Sequence, residues 1–291
     1  MKFFKYLIEA FIIYLLFFLF RVFGIEFSRK FSSFLLSKLG FFFRRKKIIK
    51  NNILKVFKDY SNHDVDKLIE KMWSNYGLTF AEYVFLDKFR FNKFQNNHIE
   101  ISGEKIITEI KNKGKPVIFI SAHLGNFELM AMELEKKNIH LAAIYRPLNN
   151  FFLNPFMVYL RKKYLCKRQV KKGLIGTRET INYLKKNNSI ALMVDQRVGE
   201  SERYPFFGVP AHTTTIPAQL ALKYDLEIIP IYLERKENNF FKMEIQQPIK
   251  YKKTQNSDED KKNITVEINR IIEKMILKNP GQWIWTHSRW K

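Results

Sequence analysis

The stretch Pro116–Met130, PVIFISAHLGNFELM, decides how this chain is interpreted. Its apolar run Val117–Ile120 has the length of a buried strand, and a helical pattern resumes at Phe127 after a break of small and polar residues. The stretch therefore predicts a strand, a sharp turn that carries His123, and a helix whose first turn carries Glu128. A histidine and a carboxylate across such a turn suit a general base and its orienting group, although a lone histidine at a turn is more often structural.

The composition indicates a negatively charged partner. The chain has 51 Lys and Arg residues against 28 Asp and Glu residues, which gives a formal net charge of +23. Nucleic acid, an anionic membrane surface and an acidic carrier protein all fit this charge. The 28 phenylalanines favour a membrane over nucleic acid, because lipid can take up side chains that a water-facing surface would not. Cys166 is the only cysteine, so the chain has no intrachain disulfide and no cysteine-based metal site.

Residues 1–25 predict a helix that anchors the chain to a membrane. Between Tyr6 and Phe23 the only charged residues are Glu9 and Arg21, over a length just below the roughly 20 residues of a spanning helix. The lack of a small-residue cleavage site after this run argues against a signal peptide. A short span and a helix in the membrane interface both fit, and a buried core helix is the remaining alternative. The basic residues that follow predict that the body lies on the cytoplasmic side.

The rest of the chain predicts a single domain, 26–291, of the α/β class. Residues 26–100 are helical, basic and aromatic, and the sequence Phe41–Phe43 followed by Arg44–Lys47 suits a layer of anionic headgroups. Residues 101–291 alternate short apolar runs with helical segments, which indicates a central, largely parallel sheet covered by helices. The predicted strands are Val117–Ile120, Ala142–Tyr145, Ile190–Val194 and Ile228–Leu233, with Phe240–Ile245 as an edge strand.

Two more residues that follow predicted strands are candidates for a site. Arg146 could bind a phosphate or another acidic group, or it could cap a surface turn. Asp195 ends another apolar run, and sites in α/β sheets cluster at the carboxyl ends of strands. No zinc-binding HExxH, glycine-rich phosphate loop or GxSxG elbow is present, so neither a metal nor a cofactor is expected. A base without an enzyme nucleophile suggests that the substrate brings its own hydroxyl group.

The segment His123–Glu128, HLGNFE, resembles the HxxxxE signature of the late acyltransferases of lipid A biosynthesis. These proteins are relatives of the glycerolipid acyltransferases, which carry HxxxxD. Further similar segments follow in family order: YRPLNN, MVDQ, PFFGVPAHTT and PGQWIWTHSRWK. The resemblance implies a glycerolipid-acyltransferase-like fold at the inner membrane. It also implies transfer of a lauroyl- or myristoyl-class chain from acyl carrier protein to a hydroxyacyl hydroxyl group of a lipid A precursor, without nucleic acid as a partner.

The resemblance also implies roles for individual residues. His123 would take the proton from the acceptor hydroxyl, and Glu128 would orient the imidazole. Two alternatives stay open: an acyltransferase for another lipid acceptor, such as a lysophospholipid or glycolipid, and a non-enzymatic basic protein that binds membrane or nucleic acid. The residues expected to bind or stabilise substrate are Arg146, Asp195 and the backbone amides of Gly125 and Asn126.

Overall fold

The N-terminal part of the chain is helical, as expected. In the computed structural model, which describes residues 2–199 and 201–291, α1 runs over Lys2–Leu39, far past the predicted end of the anchor at residue 25. It bends sharply at Gly24, whose φ of 82° lies in the left-handed region that glycine adopts at little cost. The helices that follow are α2 (Lys46–Val56), α3 (Asn62–Glu82) and α4 (Leu86–Arg90).

The second half of α1 packs closely on α3. Ser61 caps α3 through a reciprocal pair of hydrogen bonds with Asp64, so the helix begins where its apolar stripe begins. A Cβ at Gly77 would lie 2.3 Å from the carbonyl oxygen of Ser32, so only glycine allows this approach of the two helices. Ser33 and Ser74 join them through a hydrogen bond of 2.7 Å. The contact fixes the orientation of the second half of α1 on the body.

The remainder of the chain is α/β, which confirms the predicted class. Seven strands form one sheet in the order β1-β9-β8-β2-β5-β3-β4, in which every pair is parallel except β8 with β9. The strands are β1 (Ile99–Ser102), β2 (Ile118–Ser121), β3 (Leu141–Tyr145), β4 (Arg168–Lys171), β5 (Ser189–Met193), the hairpin β6 (Arg203–Phe206) and β7 (Val209–His212), β8 (Ile228–Arg235) and β9 (Phe241–Ile245). The helices are α5 (Glu104–Lys113), α6 (Glu128–Lys136), α7 (Asn154–Leu160), α8 (Leu174–Lys185), α9 (Ile216–Tyr224) and α10 (Ser257–Lys278).

The four apolar runs predicted as strands are all present, and β2, buried at every residue, lies at the centre of the sheet. The prediction of Phe240–Ile245 as an edge strand is wrong in its position, because β9 lies between β8 and β1. The edges are instead β1 and β4, short polar strands that do not form a continuous apolar run. Core side chains cover both faces of the sheet, and the carboxyl ends of β2, β3 and β5 meet at one edge.

Candidate active site

His123 lies in the turn just after β2, at the centre of the sheet. The last residue of this strand, Ser121, donates a hydrogen bond of 2.7 Å to the carbonyl oxygen of Ile231. Next to His123, Leu124 forms an isolated antiparallel bridge with Trp283. The turn is therefore fixed on one side by the sheet and on the other by the C-terminal segment. His123 keeps an 18% exposed side chain, so it stays accessible to a substrate.

The imidazole of His123 is oriented by Asp195, at the end of the neighbouring strand β5. Its Nδ1 lies 2.7 Å from Asp195 Oδ1, and Oδ2 accepts hydrogen bonds from the His123 backbone N–H at 3.2 Å and from Trp283 Nε1–H at 2.8 Å. Because a carboxylate only accepts, Nδ1 carries the hydrogen and the lone pair remains on Nε2. Burial alone would raise the pKa of the Asp195 carboxyl, but the charge of His123 and these hydrogen bonds hold it below its ordinary value.

This arrangement corrects the expectation that Glu128 orients His123. The carboxylate of Glu128 accepts hydrogen bonds from the Tyr83 hydroxyl group and from Arg161, whose Nε lies 3.1 Å from Oε1. A permanently charged guanidinium with several donors holds a carboxylate better than a neutral imidazole does. Burial would lower the pKa of Arg161, but Glu128 and Tyr83 outweigh it and raise this pKa, so the arginine stays charged. Asp195 reaches Nδ1 because β2 and β5 are neighbours in the sheet.

His123 and Glu128 both line a cavity of about 260 Å³, called here the catalytic cavity. Arg146, Arg161 and Lys172 line the same space, so one wall is cationic. Burial and the charge of Arg146 lower the pKa of Lys172. Within residues 2–199 and 201–291, neither Arg146 nor Lys172 forms a salt bridge. Two neighbouring cations in one cavity suit an acidic group of a substrate.

A second cavity of about 900 Å³, called here the apolar groove, shares three lining residues with the catalytic cavity. Its walls come from both halves of α1, from α3 and from the C-terminal segment, and most of its accessible surface is apolar. Gln196, Arg197 and His287 line both spaces, and Gln196 Nε2 lies 3.5 Å from His123 Nε2. Nε2 of His123, in the catalytic cavity, therefore lies next to a residue that lines both spaces. The residues of α1 in the groove wall are Glu9, Ile12, Ile13, Leu16, Phe20, Ser32, Leu35 and Leu36.

His287 is a site residue that the sequence did not single out. Its Nδ1 accepts a hydrogen bond of 3.3 Å from the backbone N–H of Arg197, so Nε2 carries the hydrogen. Burial lowers the pKa of His287 to about 4, and the nearby charge of His123 adds to this. At neutral pH the ring is an uncharged donor. The only signal in the sequence was its place in the terminal WTHSRW segment, where the tryptophans dominate.

Gly125 and Asn126 were expected to supply backbone amide donors, and the contacts observed in this part of the turn hold it in place. The side chain of Asn126 is buried, and its Nδ2 donates a hydrogen bond of 2.8 Å to Glu82. Glu82 also accepts from Arg29 of α1 and from Arg235 of β8, each at 2.9 Å. Burial would raise the pKa of Glu82, but Arg235 and its other partners lower it, so the carboxyl is ionised. The network ties the catalytic turn to α1, and a role of the two amides in catalysis stays a prediction.

A strand-end histidine paired with a buried aspartate, in a cavity beside an apolar groove, has the features of a candidate active site. Residues 2–291 match the family model of the bacterial lipid A biosynthesis acyltransferases, so the chain belongs to that family and is a transferase. This confirms the resemblance inferred from the sequence. Identity to individual relatives is low, so the match rests on the whole length of the chain.

Three relatives of known name show the range of this similarity. The chain is 24% identical over 259 residues to the lipid A biosynthesis lauroyltransferase of Escherichia coli K12, which covers 87% of the chain and 81% of the relative. It is also 24% identical over 262 residues to the palmitoleoyltransferase of the same organism (85% and 79%). A lipid A biosynthesis acyltransferase of Haemophilus influenzae is 23% identical over 256 residues (85% and 78%).

Proposed function

We propose that this acyltransferase moves a fatty acyl chain from acyl carrier protein to a hydroxyl group on a hydroxyacyl chain of a lipid A precursor. The observation that carries the proposal is the position of His123 Nε2 beside Gln196, a residue that lines both the apolar groove and the catalytic cavity. Hydrocarbon chains fit the first space and acidic groups fit the second. The family membership names the pathway to which such an acceptor belongs.

In the proposed reaction, His123 Nε2 takes the proton from the acceptor hydroxyl as its oxygen attacks the thioester carbonyl carbon. The new C–O bond gives a tetrahedral intermediate. The C–S bond then breaks, and the carrier's thiolate takes the proton from the imidazolium. Asp195 holds Nδ1–H throughout and stabilises the imidazolium, because its carboxylate stays ionised. Neither a metal nor a cofactor takes part in these steps.

The proposed donor to the oxyanion is the Nε2–H of His287. Its tautomer is fixed by the backbone of Arg197, and its low pKa keeps it uncharged. A fixed donor needs no reorganisation when negative charge develops on the carbonyl oxygen. The backbone amides of Gly125 and Asn126 remain the alternative donors, and Glu128 then acts through Arg161 on the cationic wall.

The proposed substrate contacts follow the character of the two spaces. The apolar groove takes a hydrocarbon chain, and Arg146, Lys172 and Arg161 take acidic groups. The net charge of +23 suits an acidic carrier protein, a phosphorylated acceptor and an anionic membrane surface. The proposed location is the inner membrane with the catalytic body on its cytoplasmic side. In support, α1 and the turn after it form a helix long and apolar enough, by length and composition, to cross a membrane.

The proposed donor chain is of the lauroyl or myristoyl class. The names of the relatives do not choose a length, because a lauroyltransferase and a palmitoleoyltransferase are equally similar to this chain. The length therefore has to be measured on the protein itself.

The test uses the purified full-length chain with acyl carrier proteins loaded with acyl chains of graded length. Each donor is offered a hydroxyacylated lipid A precursor and, separately, a lysophospholipid, and products are identified by mass spectrometry. We expect transfer to the precursor, with one preferred chain length, and transfer lowered about 10²–10⁴-fold in His123→Ala. Transfer to the lysophospholipid alone would favour an acyltransferase for another lipid. Loss of one secondary acyl chain from the lipid A of cells without this protein would support the proposal independently.

A further inference from the structure

The first half of α1, residues 2–23, exposes an apolar stripe along its whole length. The stripe repeats at intervals of four and three residues, the spacing of one helix face. From Phe23, just before the bend, it continues through Phe27 and Phe31, and the successive ring centroids of these three residues lie 5.0 and 5.8 Å apart. Soluble surfaces rarely carry an apolar patch of this extent. The stripe consists of Phe4, Ile8, Phe11, Leu15, Phe18 and Val22, all exposed.

The opposite side of the same segment contacts the catalytic body from end to end. Near the N-terminus, Asn150 Nδ2 donates a hydrogen bond of 2.8 Å to the carbonyl oxygen of Tyr6. In the middle, the Tyr14 hydroxyl donates to the carbonyl oxygen of Phe152 at 2.9 Å. Near the bend, Arg21 forms a salt bridge of 2.9 Å with Asp87. The helix therefore lies along the body and does not project from it.

The middle of this segment also packs on α7. The ring of Phe156 lies 5.5 Å from that of Tyr14 and 6.2 Å from that of Phe17, measured between centroids. Phe156 is followed within two helical turns by Lys162 and Lys163, both exposed to solvent. The depth of α7 relative to a bilayer is thus fixed by the depth of the middle of α1.

These contacts conflict with a helix that crosses the bilayer. At roughly 1.5 Å per residue, residues 2–23 measure about 33 Å, close to the thickness of the hydrocarbon core. A crossing helix would carry Asn150 to the far headgroup layer. It would also place Lys162 and Lys163 near the bilayer centre, where charged side chains are strongly disfavoured. A helix parallel to the membrane surface meets both requirements, with its exposed stripe in lipid and its other side on the body.

From this geometry we infer that the first half of α1 lies in the plane of one leaflet, so that the N-terminus and the catalytic body are on the same side of the membrane. The occupant of the apolar stripe is the acyl-chain layer of a membrane with anionic headgroups. Basic residues border the stripe at both ends: Lys2 and Lys5 before it, and Arg44–Lys47 after the exposed Phe41–Phe43. Apolar side chains flanked by basic ones suit the boundary of an anionic headgroup layer.

The in-plane position of α1 also sets the depth of the apolar groove in the membrane. What this depth means for a substrate rests on the proposed function. Ile12 and Leu16 of the first half and Leu35 and Leu36 of the second half of α1 line this groove. A helix at the depth of the acyl chains places the groove at the same depth. A lipid acceptor can then move its chain from the leaflet toward His123 without exposing it to water.

Labelling of single cysteines tests which side the N-terminus occupies. Cys166 is the only cysteine and is buried, so Cys166→Ala gives a cysteine-free background. Lys2→Cys reports the N-terminus and Lys186→Cys, exposed on the body, is the matched control. Intact cells are treated with a membrane-impermeant maleimide before and after permeabilisation. We expect both cysteines to react only after permeabilisation. Reaction of Lys2→Cys alone in intact cells would overturn the inference.

A depth measurement tests the same inference without reference to sides or to turnover. Nitroxide labels at Phe4→Cys, Phe11→Cys and Phe18→Cys are placed on the full chain in vesicles with anionic lipid. Their depths are read from accessibility to oxygen and to a polar nickel complex. An in-plane helix gives three similar depths, whereas a crossing helix separates the first and third labels by about 21 Å along the normal. Vesicle-bound protein with three similar depths supports the inference even if it transfers no acyl chain.

Discussion

Two histidines line the same cavity, and their Nδ1 partners give them opposite properties. In the turn after β2, His123 donates its Nδ1–H to the Asp195 carboxylate, so its Nε2 is a base. In the C-terminal segment, His287 accepts a backbone N–H at Nδ1, so its Nε2 is a donor. The group that is hydrogen-bonded to Nδ1 therefore decides the chemistry of each histidine, since residue type and location are the same here. Substitutions at each histidine and at its partner should separate the two roles.

The largest effect is expected from removal of the base. His123→Ala should lower acyl transfer about 10²–10⁴-fold, the usual contribution of a general base. Binding to vesicles should be unchanged, because α1 is not altered. The measurement is turnover with acyl carrier protein as donor, with His140→Ala as the matched control at an exposed histidine. Full activity of His123→Ala would remove His123 from the mechanism.

Loss of the orienting carboxylate is expected to come second. Asp195→Asn should lower kcat on the order of 100-fold or more, because an amide can hold the ring in the wrong tautomer. The pH–rate profile should also change, since the base loses its partner. Asp225→Asn, at an exposed aspartate, is the control. A larger loss in Glu128→Gln than in Asp195→Asn would return the orienting role to Glu128.

Removal of the uncharged donor should have a smaller effect on turnover. His287→Ala should lower kcat about 100-fold, the lower end for the loss of one oxyanion donor, with little change in KM. His287→Gln should recover part of this loss, because its amide can still donate a hydrogen bond. If glutamine and alanine give equal losses, or if only KM changes, the donor role of His287 is wrong.

Glu128→Gln should weaken the cationic wall and leave the base intact. Without Glu128, the buried guanidinium of Arg161 loses its carboxylate. We expect a loss of about tenfold, or roughly 1.4 kcal/mol, with an unchanged pH–rate profile and a lower Tm. Glu179→Gln, which removes the exposed carboxylate beside Arg168, is the matched control. A shift of the profile in Glu128→Gln would show that Glu128 acts on His123.

The sequence predicts the centre of this fold better than its edges. The central strands are recognisable because a strand buried on both faces is a continuous apolar run, as in Ile118–Ser121. The edge strands β1 and β4 are only four residues long with one buried residue each, and so short a pattern also fits a loop or a short helix. The length of α1 was underestimated because the expectation ended with the apolar run, whereas the helix continues beyond the bend at Gly24.

The candidate site shows a similar division. The turn with His123 was predictable because a strand, a break and a helix follow one another locally. The partner of His123 was not, because it depends on which strand lies beside β2, and strand order is a property of the whole sheet. Glu128 was expected to be the partner because it is near His123 in the sequence, but in the structure its carboxylate is bound by Arg161. His287 was not predictable as a site residue, because the sequence does not show that the C-terminal segment folds back against the turn.

The smallest expected effect concerns stability and tests whether His287 is uncharged. Burial lowers its pKa to about 4; Asp195 opposes this shift, while His123, Arg289 and Arg44 reinforce it. Between about pH 6.5 and pH 4 the unfolded chain binds a proton that the folded chain does not, so the fold loses stability as the pH falls. His287→Gln removes this difference, and its Tm should fall less steeply than that of the unchanged chain. Parallel Tm curves over this range would mean that the folded protein protonates His287 normally, which would contradict its assignment as a neutral donor.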